Sequence, residues 1–104
     1  MVGRRRFREL VVPRILAVDD ELVIRQFTHD ALTDDGFEVK TAATTSEALA
    51  LAKKEAFDLF VCDVNVPEIN GFGLRDEVKK IGRFAQTPFL FVSGADPQMR
   101  AFRF

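Results

Sequence analysis

Acidic and hydroxyl side chains stand at the ends of three of the four short apolar runs of this sequence. Asp19 and Asp20 follow the first run, Asp63 follows the third, and Ser93 follows the fourth. If these runs are parallel strands, their carboxyl ends open on one edge of a sheet and the side chains meet there. Three carboxylates in one pocket repel each other, and a hard cation such as Mg²⁺ removes that repulsion. Beside a bound cation a carboxylate can attack phosphorus to form an aspartyl phosphate, and a hydroxyl can hydrogen-bond to the phosphoryl oxygens.

Each of these residues has a plainer structural explanation when it is taken alone. An aspartate such as Asp20, directly after a strand, often caps the following helix. Asp63 stands before a proline-containing loop, which is typical of a turn residue. Ser93-Gly94 by itself indicates only a turn. The functional interpretation therefore depends on these residues occurring together, at matching ends of three predicted strands.

The elements that would position these side chains alternate between strand and helix. Apolar residues at three- and four-residue spacing predict amphipathic helices, the first of them with Leu22, Val23 and Phe27 in its apolar stripe. This alternation predicts a doubly wound parallel α/β sheet with helices on both faces. Short apolar or alternating runs predict the strands. The predicted strands are 14–18, 37–42, 57–62 and 88–92, and the predicted helices are 21–33, 45–54 and 96–104, with a further helix that follows a loop through Gly71 and that Gly82 closes.

The composition fits one packed domain. The chain has 104 residues, of which 47% are hydrophobic and 30% charged, and its aromatic residues are eleven Phe with no Tyr or Trp. The single cysteine, Cys62, excludes an internal disulfide framework and suits a reducing compartment. No apolar stretch approaches the ~20 residues that a membrane span requires. We therefore expect a cytoplasmic protein with no membrane partner.

The charges are distributed unevenly along the chain. Residues 1–14 contain five arginines and one glutamate, whereas acidic groups predominate in the rest. We interpret residues 1–13 as a basic N-terminal arm, which is either a nucleic-acid contact or a solvated tail. Because no second basic cluster accompanies Arg4–Arg8, we favour the tail and expect no direct nucleic-acid binding.

Three motifs resemble those of response-regulator receiver domains. Ile15–Glu21 is an apolar strand followed by an acidic pair, and Phe91–Gly94 is the end of a strand followed by a serine. Asp63–Gly71 has a proline four residues and a glycine eight residues after its aspartate. The resemblance extends from about Arg14 to the end of the chain. It implies a flavodoxin-like sheet, (βα)4 of the family's usual (βα)5, with strand order 2-1-3-4.

The resemblance also implies a role for each site residue. Asp63 would accept a phosphoryl group from a sensor histidine kinase or a phosphotransfer protein. Asp19, Asp20 and Asp63 would bind Mg²⁺ together with the backbone carbonyl of Asn65. Ser93 would be the switch hydroxyl that moves toward the phosphoryl group. The chain would then be a signalling domain rather than a conventional enzyme.

The resemblance breaks off at the C-terminal end. The family continues into a fifth strand with an aromatic switch residue, a lysine that pairs with the phosphoryl group, and a fifth helix. No lysine follows Lys80, so no catalytic lysine is assigned. The sequence thus predicts a truncated receiver domain over 14–104, in which strand 89–92 has a free edge that could pair with a second chain. The alternative function is a degenerate receiver that acts as a phosphorylation-independent association module.

Two enzyme classes with related folds fit the sequence less well. A haloacid-dehalogenase-type phosphatase needs a second aspartate two residues after the first as general acid, and Asn65 stands there. A dinucleotide-binding domain needs three spaced glycines after its first strand, and Gly71-Phe72-Gly73 lies elsewhere and lacks the third.

Overall fold

In the computed structural model, the residues described are 12–92 and the backbone of 101–103. Four strands run parallel in the order β2-β1-β3-β4, as the sequence predicted, and helices connect the first three of them to the strands that follow. A short 3-10 turn, Gly82–Phe84, precedes the fourth strand. The strands are β1 (Arg14–Val18), β2 (Glu38–Ala42), β3 (Leu59–Asp63) and β4 (Phe89–Val92), and the helices are α1 (Leu22–Asp34), α2 (Thr45–Lys54) and α3 (Gly71–Lys79).

Side-chain caps fix the starts of two of the helices. The Thr44 hydroxyl accepts a hydrogen bond from the Glu47 backbone N–H, and the Glu47 carboxylate accepts one from the Ala43 N–H. The pair resembles a capping box, except that the Glu47 carboxylate bonds Ala43, the residue before the cap, and not the N-cap residue Thr44 itself. The Asn70 side chain caps α3 by accepting from the Gly73 N–H. Both helices therefore begin directly after the loops that carry polar residues to the edge of the sheet.

One face of the sheet is covered by α2 and α3 and holds the hydrophobic core. Phe60, at the centre of this face, stacks on Phe89 with ring centroids 4.9 Å apart and meets the edge of Phe84 at 5.1 Å. The phenylalanines carry no polar atom, so they can be buried here without a hydrogen-bonding partner. The buried core residues on this side include Leu16, Val18, Ala48, Ala52, Phe57, Cys62, Leu74, Val78 and Phe91.

On the opposite face, α1 is the one helix among the described residues, and none of its residues is buried. Leu22, Val23 and Phe27 are 64%, 77% and 71% exposed, so the prediction that this apolar stripe packs inward is wrong. The side of α1 nearest the sheet instead carries half-buried polar residues such as Arg25 and Thr28, which line a small cavity against β1, β3 and β4. The physical reason is that no other described element covers the outer side of α1.

A further strand, β5 (Ala101–Arg103), pairs antiparallel with β4. This corrects two predictions. Residues 101–103 are a strand and not part of a fourth helix, because their backbone pairs with Leu90, Phe91 and Val92 of β4. The edge of β4 is also not free: its backbone groups have a partner in the same chain, so the predicted self-association through residues 89–92 has lost its structural basis.

Other predictions for the chain termini are not tested. The rest of the predicted fourth helix, 93–100, lies outside the described residues. So does most of the basic arm, of which only Val12 and Pro13 are described. Among the described helices, none is long and apolar enough to cross a membrane.

Candidate functional site

Three carboxylates meet where β1 and β3 end. Asp19 and Asp20 follow β1, Asp63 is the last residue of β3, and one oxygen of each lies within 4.8 Å of the others. This is the cluster that the sequence predicted from parallel strand ends. Asp19 is only 8% exposed, whereas Asp63 is half-buried and Asp20 is open to solvent. The pocket therefore has a buried floor and an exposed rim.

Backbone contacts fix Asp19 on the floor of this pocket. Its N–H donates to the Ala42 carbonyl on β2, and its Oδ1 accepts from the Glu21 N–H at 2.9 Å. Its own carbonyl accepts from the Arg25 guanidinium at 2.8 Å. Asp20 makes no such contact within the described residues: α1 begins after Glu21 without a side-chain cap, so the plainer explanation of Asp20 as a helix cap is wrong.

The electrostatic environment of Asp19 disfavours its charged form. Burial raises the pKa of its carboxyl, and the negative charges of Asp63 and Asp20 raise it further, against the opposing hydrogen bond from Glu21. Within residues 12–92, none of the three carboxylates forms an ion pair with a lysine or arginine. The pocket thus combines concentrated negative charge with hard oxygen atoms, which is the donor set that Mg²⁺ prefers.

The chain just after β3 holds Asp63 in place. Asp63 Oδ1 accepts from the Asn65 N–H at 3.2 Å, and the Val64 N–H donates to the Val92 carbonyl on β4.

The neighbouring Cys62 thiol is buried on the core side. Burial, followed by the charges of Asp63 and Asp19, raises the pKa of Cys62 to about 12, which favours the protonated, weakly nucleophilic form of this thiol.

The glycine at the start of α3 allows the helix to approach the end of β3. A Cβ atom at Gly71 would lie 2.7 Å from the Asp63 carbonyl oxygen and 3.1 Å from the Val64 Cα. The Gly71 N–H also donates to the Val64 carbonyl at 2.8 Å. The glycine eight residues after Asp63 therefore has a steric role, because any side chain there would push against the backbone that carries the carboxylate.

Sequence reasoning missed the residues that anchor the far end of this turn. The Glu68 Oε1 accepts from the Ser46 N–H at 2.7 Å and from the Thr45 hydroxyl at 3.0 Å. Val66, between Asp63 and Glu68, is buried in the core. No spacing rule relates residues 22 and 23 positions apart, so the sequence held no signal for these contacts.

Two predicted site residues are not tested by the geometry. Ser93 lies outside the described residues. Asn65 is exposed beside the pocket, and although its N–H holds Asp63, the role of its carbonyl remains a prediction.

Comparisons with known proteins agree with this arrangement. The sequence profile of the family described as "Response regulator receiver domain" matches residues 15–103. The structure is similar to that of the chemotaxis response regulator CheY4 of Vibrio cholerae, with a TM-score of 0.78, 39% identity, and coverage of 85% of this chain and 74% of that chain. It is also similar to the response regulator TrrA of Thermotoga maritima, solved in complex with Mg(2+)-BeF, with a TM-score of 0.67, 30% identity, and coverage of 79% and 68%.

Two regulators of Porphyra purpurea are similar in sequence. The probable transcriptional regulator ycf29 of Porphyra purpurea is 33% identical over 79 residues, which are 76% of this chain and 38% of that protein. The probable transcriptional regulator ycf27 of the same organism is 43% identical over 67 residues, which are 64% of this chain and 28% of that protein. The chain therefore spans well under half the length of these relatives. The profile match over residues 15–103 and the likeness to CheY4 show that the chain belongs to the response regulator receiver domain family.

Proposed function

We propose that this chain is the phosphoacceptor domain of a two-component response regulator, and that Asp63 takes a phosphoryl group in a Mg²⁺-dependent reaction. The observation that carries the proposal is the convergence of three carboxylates, within 4.8 Å, at the ends of β1 and β3. Membership of the receiver family supports two-component signalling in general. The donor we propose is the phosphohistidine of a sensor histidine kinase or a phosphotransfer protein. We place the reaction in the cytoplasm.

The residues proposed to hold Mg²⁺ are Asp19, Asp20, Asp63 and the backbone carbonyl of Asn65. They fit a magnesium ion because all of them offer hard oxygen atoms and because burial, together with the nearby charges of Asp63 and Asp20, raises the pKa of Asp19, so that a bound cation would favour its charged form. The relative TrrA was solved in complex with Mg(2+)-BeF, which supports the same chemistry here. When bound, Mg²⁺ would neutralise the carboxylates and the negative charge that develops on the phosphoryl oxygens.

The proposed transfer places each of the remaining roles on a residue of this chain. A carboxylate oxygen of Asp63 attacks the phosphorus of the phosphohistidine, so an O–P bond forms while the P–N bond breaks and its electron pair goes to the imidazole nitrogen. The Asn65 N–H orients Oδ1 of Asp63. The Ser93 hydroxyl would then donate a hydrogen bond to the transferred phosphoryl group.

Intact-mass spectrometry after incubation with acetyl phosphate tests this proposal. We expect the chain to gain one phosphoryl group when Mg²⁺ is present and none when it is chelated. The Asp63→Asn variant should gain nothing, whereas the control variant Asp35→Asn, changed at an exposed residue outside the pocket, should behave as the unsubstituted chain. Equal phosphorylation of the Asp63→Asn variant would contradict the proposal.

A second candidate function is a phosphorylation-independent association module. The observation that favours it is the exposed apolar stripe of α1, formed by Leu22, Val23 and Phe27. This function predicts concentration-dependent association in analytical ultracentrifugation that is unchanged in Asp63→Asn and lost in Phe27→Glu. A monomer at all concentrations would exclude self-association through α1.

A further inference from the structure

The turn between Asp63 and α3 contains one residue in a backbone conformation that side chains disfavour. Glu68 has a φ angle of 81° and is the one non-glycine residue with positive φ in the described part of the chain. A glutamate is held in this conformation only where surrounding contacts outweigh the strain. The hydrogen bonds of its side chain supply those contacts.

The Glu68 carboxylate binds the N-terminus of α2. Its Oε1 accepts from the Ser46 N–H at 2.7 Å and from the Thr45 hydroxyl at 3.0 Å. Hydrogen bonds from Ser46, followed by the one from Thr45, lower the pKa of Glu68. A carboxylate is favoured at this end of a helix because unpaired N–H groups and the helix dipole meet it there.

Thr45 ties the same turn to α2 through the backbone. The Thr45 side chain is buried, and its hydroxyl oxygen lies 3.1 Å from the Pro67 carbonyl and 3.4 Å from the Ile69 N–H. Its single proton can serve the Pro67 carbonyl or the Glu68 carboxylate, and the charged group is the stronger acceptor. With that proton on Glu68, the Thr45 hydroxyl oxygen accepts from the Ile69 N–H, so Glu68 and Ile69 are both held at the start of one helix.

A short segment of chain, residues 64–68, connects the contacts of Glu68 with the acidic pocket. Val64 anchors the near end of the turn, where it bonds to Val92 and Gly71, and Glu68 anchors the far end. Between them lies Asn65, whose N–H holds the Asp63 carboxylate. The position of the Asn65 backbone, which is proposed to contribute a magnesium ligand, therefore depends on both anchors.

We propose that Glu68 is a positioning residue for the acidic pocket. By binding the N-terminus of α2, it holds the turn after Asp63 in the conformation that sets both the Mg²⁺ affinity of the pocket and the rate at which Asp63 accepts a phosphoryl group. The expected effects on Mg²⁺ affinity and on phosphorylation rest on the proposed function. The expected effect of Glu68 on the conformation of the turn does not rest on it.

The chain offers a matched control at the same helix end. Glu47 also places its carboxylate at the start of α2, where it accepts from the Ala43 N–H, but it makes no described hydrogen bond to the turn after Asp63. Glu47→Ala should therefore weaken the helix start without moving the turn. Glu68→Ala should do both.

The experiment compares Glu68→Ala, Glu47→Ala and the unsubstituted chain in three measurements: thermal unfolding, amide hydrogen exchange of residues 64–69, and Mg²⁺ titration by calorimetry. We expect Glu68→Ala to speed exchange in the turn and to raise the Mg²⁺ dissociation constant by about threefold to tenfold, less than the ~10–100-fold typical of removing a direct partner of a metal ligand. Glu47→Ala should lower the unfolding temperature but leave the exchange of the turn and the Mg²⁺ affinity unchanged.

Two further variants separate the side-chain contact from the backbone strain. Glu68→Gly relieves the positive φ and removes the carboxylate, so it should show the loss of affinity although its backbone is relaxed. Thr45→Val removes the hydroxyl at nearly constant shape. In a double-mutant cycle, the variant with both Thr45→Val and Glu68→Ala should lose less Mg²⁺ affinity than the two single variants lose when their effects are added, because both substitutions remove the same contact.

The outcomes are distinct. Unchanged exchange of residues 64–69 and unchanged Mg²⁺ affinity in folded Glu68→Ala would overturn the proposal, and so would equal losses in Glu68→Ala and Glu47→Ala. If the unsubstituted chain binds no Mg²⁺, the proposed function fails. The exchange measurement then still decides whether Glu68 holds the turn.

Discussion

The two faces of the sheet differ in how completely they are packed. The face covered by α2 and α3 contains four phenylalanines that are each less than 2% exposed: Phe60, Phe84, Phe89 and Phe91. The face covered by α1 leaves Phe27 and Val23 more than 70% exposed. The acidic pocket lies where both faces end, and among the described residues the turn after Asp63 contacts the packed face through Val66, Gly71 and the start of α2. The difference indicates that the packed face stabilises both the fold and the site.

The largest expected effect is on the free energy of unfolding, and it is measured by comparing one phenylalanine substitution on each face of the sheet. Phe60→Ala should lower the free energy of unfolding by about 3–5 kcal/mol, because it leaves a cavity among buried rings. Phe27→Ala should change it by less than about 0.5 kcal/mol, because the ring is mostly in solvent. Urea denaturation followed by circular dichroism measures both, since the chain has no Trp for fluorescence. Equal losses would show that α1 packs more tightly than described.

A smaller effect is expected at the junction of α3 with the pocket. Gly71→Ala should lower the free energy of unfolding by about 1–3 kcal/mol, because its Cβ would overlap the Asp63 carbonyl. It should also weaken Mg²⁺ binding. The control is Gly82→Ala, where a Cβ meets nothing within 4 Å and where stability should be kept or slightly increased. Denaturation and calorimetry check both variants, and an unaffected Gly71→Ala would contradict the close approach.

On the face covered by α1, removing the contact between Arg25 and the pocket should lower the free energy of unfolding by less than the substitution of Gly71 does. Arg25→Met keeps most of the side-chain length but removes the hydrogen bond to the Asp19 carbonyl, which should cost about 0.5–1.5 kcal/mol of stability. Because this contact touches the backbone of one ligand only, the Mg²⁺ dissociation constant should change less than in Gly71→Ala. A larger change of the Mg²⁺ dissociation constant in Arg25→Met than in Gly71→Ala would contradict the view that the packed face contributes more to the site.

The smallest expected effect is a pH dependence of stability at Glu68. Its pKa is lowered in the folded chain from the ordinary value of 4.5, so ionised Glu68 stabilises the fold above that value. The stability is lost as the pH falls through the folded pKa. The free energy of unfolding of Glu68→Gln should therefore lie below that of the unsubstituted chain at neutral pH and approach it in acid. A difference that grows in acid would contradict the sign.

The sequence predicted the parallel sheet and the acidic cluster because both follow from short-range patterns. Apolar runs ending in Asp19 and Asp63 define strand ends, and parallel strands bring such ends together without further information. It could not predict that Phe27 is exposed, because an apolar stripe shows which side of a helix favours burial but not whether another element covers it. The contact of Glu68 with Thr45 depends on a turn and a helix end that meet only in the folded chain. Residues 101–103 were ambiguous because three residues are too few to distinguish a strand from the end of a helix.

The most direct test of the central claim is to locate the phosphoryl group on the chain. After incubation with acetyl phosphate and Mg²⁺, borohydride reduces an aspartyl phosphate to homoserine, and peptide mass spectrometry identifies the residue that has changed. We expect homoserine at position 63 and at no other aspartate. Homoserine at Asp19 or Asp20, or no reduction in a chain that binds Mg²⁺, would contradict it.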